Sequence, residues 1–206
     1  MAPWYRCARG ACCVATYAGV TDSTVTPVPF DIVLTIRLTK HVDGATLTCV
    51  RRDGSMTWQR QRDGAGAFFP RHDLTHYAVE SVLGYRRGFY GFVADGWNIS
   101  DFGTPWPRGP IPADADPAEI IVGLLDAERT SLAAGGTRWT AAELSEQAAL
   151  FYDAQALVAR PPAVTDAQLA AIRAQLADLF ARWDALAPGD VLELQFAPGV
   201  APVFTP

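Results

Sequence analysis

Apolar and polar residues alternate along residues 32–39. Ile32, Leu34, Ile36 and Leu38 fall on one side of an extended chain, and Thr35, Arg37 and Thr39 fall on the other. A period of two marks a strand with one buried face. Asp43-Gly44 follows as a hairpin signal, because glycine supplies the positive φ that tight turns need. Residues 45–51 then read as a second strand, Asp53-Gly54 as a second turn and residues 56–61 as a third strand, which together predict an antiparallel meander. The alternation returns near the end of the chain: Leu192, Leu194 and Phe196 alternate with Glu193 and Gln195 behind the turn Pro188-Gly189-Asp190. One short strand is not stable alone, so this strand is expected to join the meander.

Between these strands the spacing becomes helical. Residues 63–66 (Asp-Gly-Ala-Gly) read as a flexible loop, Pro70 suits a first helical turn, and Gly84 is placed to stop a helix that ends near Leu83. Residues 88–97 are aromatic and interrupted by glycine, which fits a short helix or an irregular packed segment. Residues 101–115 hold four prolines and read as a long loop. Three helices follow. Asp116-Pro117-Ala118-Glu119, Thr140-Ala141-Ala142-Glu143 and Thr165-Asp166-Ala167-Gln168 each have the form of a capping box, in which two side chains satisfy the free amides of a first turn. In the last helix Leu169, Ile172, Leu176, Leu179, Trp183 and Leu186 form a narrow apolar seam. The expected fold class is α+β: an antiparallel three-stranded meander plus a C-terminal strand make a four-stranded sheet, covered on one face by a block of helices.

Residues 1–30 lack sustained periodicity and read as an extended N-terminal arm ahead of a single α+β domain over residues 31–206. The net charge of −5 is unevenly placed: residues 32–87 carry nine Lys/Arg against five Asp/Glu, and residues 88–206 carry six against fifteen. Two halves of opposite sign neutralise one another in one fold, and the overall acidity argues against a nucleic-acid partner. No run approaches the roughly 20 apolar residues that span a bilayer, so no membrane partner is expected. Cys7, Cys12, Cys13 and Cys49 match neither a zinc-ligand spacing nor a disulfide framework. Reduced thiols and a cytoplasmic location are the expectation.

The candidate chemistry lies in Arg71-His72-Asp73-Leu74-Thr75-His76, which holds two of the three histidines in the chain. On a helix, His72 and His76 sit one turn apart on one face and can reach a single metal ion. The pentad resembles the His-Glu-x-x-His helix of zinc peptidases, with Asp73 in the place of the general-base glutamate. It also looks like the pentad of the Coq-type ubiquinone-biosynthesis proteins. Those are all-helical and carry a glutamate about a dozen residues downstream. Here that region is Arg86-Arg87-Gly88-Phe89, and strands precede the motif, so that assignment is not adopted. Glu80 lies a further turn along the same stripe, as an acid/base group or an added ligand. Asp95 is the third ligand expected from distance along the chain, with Asp101 and His41 as further options. A cleft is expected at the start of this helix, walled by Arg71, Arg86 and Trp97. The plain alternative gives Asp73 a helix-terminus role and pairs His76 with Glu80.

The arginines and aromatics of residues 85–97 suit either stacking on a ligand or an aromatic wedge in the core, and the wedge is preferred because no RNA-binding signature accompanies them. The functional expectation is a small intracellular metal-binding protein. In its catalytic form it is a metal-dependent hydrolase acting on a small molecule or peptide, with His72, His76 and Asp95 holding a divalent ion such as zinc, and with Asp73 and Glu80 as acid/base groups. The alternative is a non-enzymatic binding or assembly module, such as a homodimer, that uses the seam of residues 169–186 or a sheet edge.

Overall fold

The computed structural model describes residues 33–103, 105–155, 161–197 and 199. The expected arm, residues 1–30, and with it Cys7, Cys12 and Cys13, lies outside the described residues. Strands β1 (Leu34–His41), β2 (Gly44–Arg51) and β3 (Met56–Arg62) form the meander, and β4 (Val191–Phe196) pairs antiparallel with β1, giving the order β3-β2-β1-β4. The alternation fixes the register. Ile36 stands opposite both Cys49 and Leu194, and Leu38 opposite both Leu47 and Leu192, so apolar rows cross the sheet on its buried face. The other face is polar. The Thr35 hydroxyl donates to Gln195 at 2.9 Å and Arg37 pairs with Glu193 at 2.7 Å, both across β1 and β4. Met56 and Trp58 of the edge strand β3 are exposed there.

The described residues hold the α-helices α1 (Asp63–Leu83), α2 (Phe89–Ala94), α3 (Asp116–Ala133), α4 (Ala141–Gln155) and α5 (Asp166–Ala185); α1 and α2 pack on the apolar face, and α3 and α5 pack on α1. The fold is therefore α+β, a four-stranded antiparallel sheet with helices packed against it. Helix α1 is its hub and touches β2, β3, α3 and α5. Among the described residues, no helix is long and apolar enough to cross a membrane.

Helix α1 begins at Asp63, so residues 63–66 are helical and not the expected loop. Two glycines allow this. A Cβ on Gly66 would lie 2.7 Å from the Cα of Gly44, so only glycine lets the first turn pass the β1–β2 hairpin. Pro70 consequently falls inside the helix, where it forgoes the bond to the Gly66 carbonyl. The capping boxes at Thr140 and Thr165 form as expected: Thr140 exchanges bonds with Glu143, and Thr165 with Gln168. Helix α3 starts one residue earlier than the box expected at Asp116 requires. Ala115 is the N-cap of α3, proline occupies its first turn, and no side chain caps it.

The seam of α5 faces inward. Leu169, Ile172, Leu179 and Trp183 are buried, and the helix packs on α1. Leu179→Ala is expected to lower stability by about 2–5 kcal/mol in denaturant unfolding, the cost of a cavity in a packed core. Light scattering is expected to show the parent oligomeric state. A changed oligomeric state with undiminished stability would make the seam an interface instead.

Candidate functional site

Helices α1 and α3 run antiparallel, since His72 meets Asp126 while His76, one turn later, faces Glu119. The i, i+4 pair on α1 thus confronts an i, i+7 pair on α3, and each set lies on one face of its helix. The two imidazole rings are 4.7 Å apart and nearly perpendicular.

His72 sits at the rim, with its side chain 21% exposed, and its Nδ1 lies 2.7 Å from the buried Asp126 carboxylate. Arg129 donates to the same carboxylate at 2.9 Å, and the Thr75 hydroxyl reaches it at 3.4 Å. Burial opposes the charge on His72, but Asp126 outweighs it and holds the imidazole above its ordinary pKa. Burial likewise opposes the charge on Asp126, and His72 with Arg129 holds that carboxyl below its ordinary range.

His76 is almost wholly enclosed. Its Nδ1 lies 3.2 Å from Glu80 and its Nε2 lies 3.7 Å from Glu119, and burial pushes its pKa down to about 4. Glu80 has no solvent exposure. The backbone amides of Tyr90 and Gly91 donate to its carboxyl group, so this side chain closes the open start of α2. A Cβ on Gly88 would stand 2.5 Å from the carboxyl carbon, which explains the glycine there. Burial pushes Glu80 up to about 8 despite these amides.

Asp73 points the other way. It accepts a 2.7 Å bond from Gln61 of β3 and ties α1 to the sheet, and burial lifts it to about 6. The structure therefore brings together His72, His76 and Glu80 of the residues expected from sequence, and sends Asp73 to the sheet side. Asp95 is not brought to the histidines. It ends α2, pairs with Arg87 at 3.2 Å and lines a shallow recess of about 500 Å³ with Arg51, Asp53 and Ser55. Asp101 pairs with Arg108 and His41 bonds Thr46 in the first hairpin.

The expected cleft walls are also placed differently. Arg71 pairs with Asp184 and lies over the Phe180 ring of α5, whereas Trp97 packs on Phe92 and Phe102. Residues 85–97 form the aromatic wedge: Tyr90, Phe92 and Val93 are buried, and Arg87 lies 4.1 Å above Phe92.

Sequence reasoning missed Glu119 and Asp126. The available signal was their spacing of seven on one helix, in register with two histidines four apart. Among the described residues, no group of three or more His, Cys, Asp or Glu side chains is placed to hold a metal ion. They meet in pairs, carboxyl to imidazole. Comparison with known proteins finds no matching family model, no matching curated protein and no matching solved structure.

Glu80 carries a pH dependence whose sign is fixed. Its folded pKa of about 8 lies above the ordinary 4.5, so the folded chain holds a proton that the unfolded chain releases. That contribution is complete below the ordinary value and is lost as pH rises through 8. In chelator-treated protein, Tm is therefore expected to fall between pH 5 and pH 8.5, and Glu80→Gln to flatten that fall. Calorimetry at the two pH values checks it, and identical slopes would remove Glu80 as the cause.

Proposed function

We propose that this chain binds a divalent transition-metal ion through His72 and His76. One observation carries the reading: each ring turns its Nδ1 to a buried carboxyl group, Asp126 at 2.7 Å and Glu80 at 3.2 Å. A histidine whose Nδ1–H is held by a carboxylate presents the lone pair of Nε2, which is how metal-ligating histidines are oriented. The two rings also stand one turn apart on one helix face, within reach of a common ion. The surroundings suit a cation, since Glu119 and Asp126 face the two rings and Arg129 pairs with Asp126. A bound ion would supply Lewis-acid activation of water, the chemistry of a hydrolase. Asp73, bonded to Gln61, has no place as the base in this reading and serves to anchor α1.

The assembly alternative has less support at the α5 seam, where Leu169, Ile172, Leu179 and Trp183 are buried internally. The sheet edge of that alternative includes β3, where Met56 and Trp58 are exposed.

The test is elemental analysis and Zn²⁺ titration of protein purified without a histidine tag. Roughly one equivalent of ion is expected in the parent, and its loss in His72→Ala/His76→Ala. Binding at the same affinity in the double variant, or none in the parent, would sink the reading. His72→Gln, at the partly exposed position, is a milder variant should the double substitution fail to fold.

A further inference from the structure

We infer that Glu119, and not Asp95, is the third protein ligand, so that α1 and α3 together offer two imidazoles and one carboxylate to one ion. This rests on the metal-binding reading of His72 and His76. The other nearby carboxyl groups already have partners. Glu80 takes two backbone amides and faces His76 Nδ1, Asp126 takes His72 and Arg129, and Asp73 takes Gln61. The Glu119 side chain has no hydrogen bond to another described residue. Its close charged contact is the Nε2 of His76, at 3.7 Å. That separation is too long for a hydrogen bond. It is close to the span of about 3.3–3.5 Å expected between two ligands held about 2.0–2.2 Å from one tetrahedral ion. The Glu119 side chain is 20% exposed while His76 is 3% exposed, so the carboxylate stands between the buried ring and solvent, where an ion would enter.

Two requirements follow. Glu119 and the rings must turn from pairwise contacts toward a shared centre, because no three of these side chains converge as they stand. The donor set also selects the ion: two nitrogens and one oxygen, with positions left over, suit Zn²⁺, Fe²⁺ or Mn²⁺ better than ions that favour thiolates.

Titration with Co²⁺, followed by its visible absorption and by calorimetry, tests the assignment on the full chain. Glu119→Gln keeps the size of the side chain and is expected to fold, with its melt as the control. It is expected to weaken Co²⁺ binding on the order of 100-fold or more and to change the absorption bands, because a directly bound oxygen is altered. Asp126→Asn acts through His72 and is expected to weaken binding by about 10–100-fold with the bands retained. Asp95→Asn is expected to match the parent in both readouts. A parent that binds Co²⁺ and a Glu119→Gln variant indistinguishable from it would overturn the third-ligand assignment and leave the histidine reading standing. Parallel losses in Asp95→Asn would restore the ligand expected from sequence and overturn this one. A parent that does not bind Co²⁺ or Zn²⁺ overturns both.

Discussion

A carboxyl group with no access to solvent must find all its partners inside the protein. Glu80 is such a group, and the start of α2 and the His76 ring are arranged around it. Its oxygens take the amides of Tyr90 and Gly91, which lets a helix of only six residues begin without a capping side chain of its own. Gly88 has no Cβ because the Glu80 carboxyl group occupies that space. With α2 anchored, Tyr90 and Phe92 are buried and Phe89 reaches the His76 ring at 5.4 Å. The third partner is His76, so the residue that docks α2 also sets the orientation of a buried imidazole. Structure and candidate chemistry meet in one side chain.

Much of the fold was legible because its signals are local. The period of two in β1 and β4 gave both the strands and their buried faces, and Ile36 pairs with Cys49 and Leu194 as that period requires. Thr140 and Thr165 cap their helices as their sequences indicate. The start of α1 was not legible. Asp-Gly-Ala-Gly is a poor helix sequence, and it is helical because the hairpin at Gly44 needs glycine beside it, a tertiary constraint that propensity does not contain. The candidate site divides in the same way. His72, His76 and Glu80 share one helix face, so spacing alone groups them. Glu119 and Asp126 belong to a helix that starts over thirty residues after α1 ends, and pairing the two helices is a tertiary event. Glu119 also stood where a capping residue was expected, which concealed it. Asp95 is suitable by distance along the chain, yet the end of α2 carries it to Arg87.

The polar contact between α1 and α3 differs from the rest of the interior. Helix α5 buries Leu169, Ile172, Leu179 and Trp183 and adds the Arg71–Asp184 pair at its contact with α1, and the buried face of the sheet is apolar apart from residues such as Thr57 and Gln61. Apolar packing between α1 and α3 would serve stability at least as well, since burying ionisable groups costs desolvation that their attraction does not always recover. Here two histidines and three carboxyl groups take the place of that packing, and burial shifts His76 and Glu80 far from their ordinary titration ranges. A cluster of buried ionisable groups with strongly shifted titration, of which this contact holds more than the isolated buried pairs Glu128–Arg173 and Asp101–Arg108, is characteristic of functional sites. This is why the His72–His76 face, rather than the α5 seam or the recess beside Asp95, carries the functional reading.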